Sequence, residues 1–165
     1  MEIVIRKADA RIALQIGITR MLIWRYTYTH VLPERVFTDM MNELWDNASV
    51  GQHAQSSVYA AIANNAVIGY VSYGRSTCND YRNMGEIYDI GVIPSFQGKG
   101  VGSLLLDSCR KTLKADGLVK TIVKVPKWSP FVYFFTKHGA SMAHPVSKVV
   151  ESMGGEPVTK NILVM

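Results

Sequence analysis

The chain has 165 residues, 48% of them apolar and 19% charged, with a formal net charge of +5. That composition excludes a disordered chain, and the length predicts one domain over 1–165 that buries roughly 70% of its unfolded surface. No apolar run reaches the ~20 residues of a membrane span, and the opening MEIVIRKADA lacks the apolar stretch of a signal peptide. The basic residues are scattered rather than interleaved with aromatics, so neither a membrane nor a nucleic acid is an expected partner.

"EIVIRKA" reads as a short first strand. "DARIALQIGITRMLIWRYT" follows with helical periodicity, its buried stripe running through Ile12, Ile16, Thr19 and Ile23 with Asp9 as N-cap. "VLPERVFTDMMNELWDN" gives a second helix, with Pro33 in its first turn and Val36, Met40, Leu44 and Trp45 on one side. In "SSVYAAIANNAVIGYVSYG" two β-like runs pivot on Asn64-Asn65, and asparagine tolerates the positive φ of a two-residue hairpin turn. "GEIYDIGVI" is a further strand that ends at Pro94.

The next helix is expected to bury Val101, Leu104, Leu105, Ser108, Thr112 and Leu113 and to stop at Asp116-Gly117. "VKTIVKVP" is a strand, "SPFVYFFTKHG" a helix, and "EPVTKNILVM" at least one more strand. The order β-α-α-β-β-β-α-β-α-β, without linker or repeat, is that of one mixed α/β domain, in which 87–125 forms a right-handed β-α-β unit. Cys78 and Cys109 have no CxxC spacing, which predicts free thiols and a cytoplasmic protein. His30, His53, His138 and His144 show no metal-ligand spacing, so no metal site is expected.

Three glycines, Gly98, Gly100 and Gly102, crowd the start of the helix after Pro94. Glycine costs roughly 1 kcal/mol against alanine inside a helix, so such a cluster points to a backbone that must approach a ligand closely. Two phosphate-loop patterns fail here. GxxxxGK[ST] would need glycine at Ile93 and Ser/Thr at Gly100, and GxGxxG would need glycine at Ser103.

The stretch Gln97-Gly98-Lys99-Gly100-Val101-Gly102, between a strand and an amphipathic helix, resembles the acetyl-CoA motif of the GNAT superfamily of N-acetyltransferases. The element order is similar to that fold from the first strand to about Gly139. The resemblance implies a mostly antiparallel central sheet with a β-α-β acetyl-CoA-binding unit, acetyl-CoA as co-substrate, a small-molecule or peptide amine as acceptor, and a possible homodimer. Backbone N–H groups of 98–103, together with Gln97, Val101 and Ser103, would cradle the pyrophosphate at the helix N-terminus, and Lys99 would add charge there or simply be solvated. A bulge at Ile90-Gly91-Val92-Ile93 would splay this strand from the next, and the Val92 N–H would face the developing oxyanion. Gly91 read on its own fits equally a place where the core is crowded.

For the catalytic groups the resemblance implies Glu86 as base, six residues before Val92 and acting through water, with Asp89 a weaker candidate. Read on its own residues, Glu86 fits equally a solvated strand-end carboxylate or a partner for substrate charge. The family's acid tyrosine falls on Phe135, leaving Tyr133 as the nearest hydroxyl, and Ser129 stands where an asparagine often precedes that helix. Trp24, Tyr26 and Tyr28 would wall the acceptor pocket or pack in the core. "VVESMGGEPV" also resembles the end of such a helix. The rival reading is a domain that binds acetyl-CoA but has lost catalysis.

Overall fold

A computed structural model describes residues 2–46, 56–153 and 155–165, and side chains within helix α2 only as far as residue 42. In chain order the elements are β1 (Val4–Lys7), α1 (Ala13–Tyr28), α2 (Glu34–Asp46), β2 (Ser57–Ala63), β3 (Ala66–Arg75), β4 (Gly85–Val92), α3 (Val101–Ala115), β5 (Thr121–Pro126), α4 (Val132–Lys137), β6 (Ser141–Met142), β7 (Lys148–Met153) and β8 (Glu156–Val164). The strands form one sheet of order β1-β2-β3-β4-β5-β8-β6, with β7 also paired to β8. Every pairing is antiparallel except β4 with β5, which is parallel. This is the mixed α/β fold expected, with α3 as the crossover between β4 and β5.

Local chemistry explains most boundaries. Asn64 and Asn65 adopt φ of 50° and 62°, which closes the β2–β3 hairpin where the sequence predicts it. Gly117, at φ 82°, ends α3 as expected. In α1 the buried residues are Ala13, Ile16, Thr19 and Ile23, matching the predicted stripe. Asp9 does not cap α1. Its carboxylate accepts from the Arg11 N–H and side chain and from Arg6, so it braces the turn ahead of the helix. Leu44 and Trp45 lie outside the described side chains.

Two expectations are corrected. Along α3 the buried residues are Val101, Leu105, Leu106, Cys109 and Leu113, while Leu104 is exposed. The helix meets the sheet along a stripe centred one position later than Leu104, Ser108 and Thr112 suggest. "VVESMGGEPV" is no helix end: Lys148–Met153 and Glu156–Val164 pair as an antiparallel hairpin, and its alternating exposure is the period-2 pattern of a strand.

The main core lies between the sheet and α3, around Val71, Ile87, Leu105, Leu106 and Val123. A second core packs α1 on the opposite face of the sheet through Ile16, Ile23, Val58 and Tyr70. The site is set by how β4 leaves β5. They pair only over Gly85↔Thr121, Glu86↔Ile122 and Ile87↔Val123. Against β3, the register jumps from Tyr73↔Ile87 to Ser72↔Asp89, so Tyr88 is an extra residue, a bulge that increases local twist. Beyond it β4 and β5 part. The bulge thus sits at Tyr88, ahead of the Ile90-Gly91-Val92-Ile93 stretch where it was expected.

Candidate active site

The parted strands enclose a cavity of about 420 Å³. One wall is Ile87–Val92 of β4, the other Val123–Pro126 of β5; α1 covers it with Trp24 and Tyr28, and the start of α3 closes one end.

At the α3 end two of the three glycines sit in left-handed conformations. Gly98 and Gly100 hold φ of 71° and 82°, left-handed values that L side chains rarely adopt, and a Cβ at either would meet nothing within 4 Å. Their backbone therefore borders open space. The first helical hydrogen bond runs from Leu104 N–H to the Gly100 carbonyl, so the N–H groups of the preceding turn point out of the helix end. Gly102 is small for another reason: a Cβ there would come within 3.2 Å of the Phe134 ring.

Gln97, Gly98, Gly100, Val101, Gly102 and Ser103 all line the cavity, as do Ile90, Gly91, Val92 and Ser129. Ile93 and Lys99 do not. Ile93 N–H is bonded across the sheet to the Ile68 carbonyl, and Lys99 Nζ donates to the Ser95 carbonyl at 2.9 Å while sitting over the Phe96 ring. Ser129 Oγ accepts from Phe131 N–H and so fastens the entry to α4. His138, which sequence reading considered only as a metal ligand, enters the wall from α4. Its Nε2 lies 2.9 Å from Ser103 Oγ and its Nδ1 2.8 Å from the Phe134 carbonyl.

The strand wall supplies a backbone donor. Since Ile93 N–H points to β3, alternation turns the Val92 N–H and carbonyl the other way, into the cleft. Gln97 Nε2 donates to that carbonyl at 2.9 Å, marking the cleft side. Gly91 instead faces α1, where a Cβ would stand 3.0 Å from Ile23 Cγ2; its smallness lets helix and sheet approach closely. The crowding reading of Gly91 is the one its neighbours support.

Neither expected catalytic side chain lies at the cavity. On an unbroken strand Glu86 would share a face with Val92, but the extra residue at Tyr88 reverses the alternation. Glu86 is 3% exposed. Its Oε2 accepts from Thr77 N–H at 2.7 Å, Thr77 Oγ1 at 2.9 Å and Ser76 Oγ at 3.3 Å, and its Oε1 is 2.9 Å from Lys124 Nζ. It is a buried carboxylate with both oxygens engaged, three donors on Oε2 and the Lys124 ammonium on Oε1. Tyr133 is 74% exposed on the outer side of α4, away from the lining, while Phe135 fills the core. A regular helix at 132–137 directs the two residues to different sides.

What does face the cavity comes largely from distant segments. Asp89 Oδ2 accepts from Tyr70 Oη at 2.6 Å, Trp24 Nε1 at 3.0 Å and Arg20 Nε at 3.1 Å. Tyr28 packs edge-on between Trp24 and Trp128, and Tyr26 points outward. Burial, and then the Asp89 charge, push the Tyr28 phenol well above its usual range, so it stays protonated. Among the described residues its hydroxyl makes no hydrogen bond. Tyr88 also lines the cavity, but its hydroxyl donates to the Arg75 carbonyl at 2.6 Å.

Lys124 and Lys160 complete the far wall. Glu151 bridges them, with Lys124 Nζ at 2.6 Å and Lys160 Nζ at 3.1 Å. Burial alone would raise Glu151, but the hydrogen bonds from Lys124 and Lys160 outweigh it and hold the carboxyl below its usual range. Burial would likewise lower Lys124, yet its bonds to Glu151 and Glu86 leave it raised. Lys124 was visible in sequence as a lone lysine in an apolar strand; Lys160 and Glu151 carried no local signal.

A sheet parted at a bulge, with a glycine-rich helix start at the mouth of the gap, is the architecture of an acyl-CoA-dependent acetyltransferase. The family model described as "Acetyltransferase (GNAT) family" matches residues 18–139, and the chain belongs to that family. By sequence, no curated protein matches. Among solved structures, the PaiA N-acetyltransferase of Thermoplasma acidophilum in complex with coenzyme A superposes with TM-score 0.73 at 17% identity, covering 99% of this chain and 98% of that one. A GNAT-family acetyltransferase of Streptococcus pneumoniae gives 0.64 at 17%, covering 99% of each chain. An N-acetyltransferase of Staphylococcus aureus gives 0.63 at 14%, covering 100% and 98%. At these identities the likeness is one of fold.

Proposed function

We propose that this acetyltransferase moves an acetyl group from acetyl-CoA directly to a primary amine with both substrates bound. The observation that carries the reading is the open space at the left-handed Gly98 and Gly100, continuous with a cleft that exposes one strand's peptide groups. The residues fit the co-substrate: Gly98 and Gly100 leave room for the pyrophosphate, the N–H groups opening α3 supply donors, and the unpaired edges of β4 and β5 can hold an amide-bearing arm. The thioester supplies the acetyl group.

Around it the chain's own groups divide the work. The Val92 N–H stabilises charge on the carbonyl oxygen as the amine nitrogen–carbon bond forms. Tyr28, neutral and with an unspent hydroxyl, donates the proton taken up by sulfur as the carbon–sulfur bond breaks. The proton lost by the amine leaves to solvent and Tyr28 is reprotonated from there. Glu86 holds Lys124 rather than acting as base.

The test is acetyl-CoA binding followed by turnover. Acetyl-CoA at 100 times its Kd stabilises the fold by about 2.7 kcal/mol in a thermal-shift experiment, and free thiol is released with an amine panel. Binding without thiol release from any amine leaves a degenerate acetyl-CoA-binding domain; no thermal response to acetyl-CoA removes both readings.

A further inference from the structure

Resting on the N-acetyltransferase reading, we propose that the acceptor amine carries a carboxylate: it is a small amino-acid-like zwitterion rather than a polyamine, an aminoglycoside or a lysine side chain in a peptide. The argument starts from which charges share one face of the sheet. Glu86 bonds Lys124, so both project from the face turned away from α3. Alternation along β5 puts Pro126 on that face with Lys124, and Pro126 pairs with Lys160 of β8, which therefore projects there too. Asp89, bonded to Trp24 of α1, stands on the same face across the parted strands. The chamber thus has the Arg20-paired carboxylate of Asp89 on one side and, on the other, the alternating chain Glu86–Lys124–Glu151–Lys160 that ends in an ammonium on β8, roofed by the aromatic rings of Trp24 and Tyr28.

The Lys160 end of that chain has capacity to spare. Lys124 is spent: its ammonium reaches Glu86, Glu151 and Thr77 Oγ1, three acceptors for three N–H groups. Lys160 lines the cavity with 17% of its side chain exposed and, among the described residues, bonds only Glu151. Two of its three donors are left for a further acceptor. An ammonium with unspent N–H groups at a chamber wall offers donors to a carboxylate and no acceptor to a second ammonium, which is the opposite of what a polycationic acceptor requires. Across the chamber Asp89 Oδ1, which no described residue bonds, accepts from the acceptor's own ammonium, while Arg20 on Oδ2 balances the carboxylate's charge. The charges separate an amine end from an acid end, and the aromatic roof between them suits a side chain with an apolar body.

The experiment compares matched acceptors at saturating acetyl-CoA: phenylalanine, tryptophan and leucine, each against its decarboxylated amine and its amide, with spermidine and a lysine-containing peptide alongside. The expected result is a kcat/KM for the free amino acid about 10- to 100-fold above its decarboxylated partner, the range for a hydrogen bond to a charged group. Lys160→Met should erase that preference by lowering only the amino-acid value, and Lys160→Arg should restore most of it. Preference for spermidine, the peptide, the amides or the decarboxylated amines overturns this inference while leaving the N-acetyltransferase reading in place. An equal loss for all acceptors in Lys160→Met, with no rescue by arginine, likewise assigns Lys160 to structure and overturns it. Absence of any turnover across the panel, with acetyl-CoA bound or not, overturns both readings.

Discussion

The two ends of the cleft are built on different principles. At the α3 end the cavity lining is largely backbone: Gly98 and Gly100 hold left-handed φ values and leave open space where a Cβ would stand. At the far end it is side chain, assembled from α1, β4, β5 and β8 through a chain of ion pairs from Glu86 to Lys160. A backbone site is written within six consecutive residues; a side-chain site of this kind exists only once the sheet has brought its strands together. The first is robust to most changes around it, and the second fails when one buried partner is removed.

Breaking the far end at its deepest point should have the largest effect. Glu86→Ala takes one of two carboxylates from Lys124 and leaves the Ser76–Thr77 donors without their acceptor in a buried setting, and removing one partner of a buried pair costs about 3–5 kcal/mol. Urea denaturation should show that loss, while the folded variant keeps the wild-type shape of its kcat/KM pH profile. A profile that loses a limb in Glu86→Ala would return the base role to this residue. Next, Gly100→Asp forces a left-handed conformation on a side chain and sets a carboxylate in the phosphate opening. Acetyl-CoA affinity should fall by about 100-fold by calorimetry, from strain of about 1–2 kcal/mol plus like-charge repulsion, with fold retained by circular dichroism.

Tyr28→Phe tests the roof. It should lower kcat about tenfold, the low side of acid–base contributions because a thiolate leaves without much help. KM for acetyl-CoA should stay unchanged. An unchanged kcat would take Tyr28 out of the chemistry. The smallest effect belongs to Glu151. Its folded-state carboxyl lies below the ordinary value of 4.5, so its contribution is present above that pH and is lost as pH falls through the folded value. Glu151→Gln should therefore cost about 0.5–1 kcal/mol at pH 7, as expected of a partly exposed pair, and converge on wild type in urea midpoints as the pH is taken down through the folded-state value.

The contrast also marks what the sequence discloses. The Asn64-Asn65 turn, the α1 stripe, Gly117 and the special conformations of Gly98 and Gly100 were legible because each is a local conformational demand met by a particular residue type. The α3 register was read one position off because several apolar residues wrap that helix and periodicity alone does not choose among neighbouring stripes. Glu86 and Tyr133 were misplaced for two separate reasons. The bulge at Tyr88 inverts every face assignment upstream of it, and nothing in "GEIYDIGV" announces an extra residue. Tyr133 sits on a helix whose inward side is already filled by Phe135. Lys160, Glu151 and Asp89 acquire meaning only from partners 9 to 69 positions away.

Tyr88 has one more implication, concerning length rather than identity. The gap between β4 and β5 is kept open by a residue count: one strand carries a unit that its β3 partner does not match. Many side chains at 88 should leave the gap intact, since the mismatch does not depend on the phenol. Removing the position altogether would let β4 fall into step with β3, restore the face that Glu86 lost, and allow the two parallel strands to run on together. This stretch should accordingly accept substitutions far more readily than single-residue deletions, and a deletion scan across 85–92 would find the protein folded but sealed.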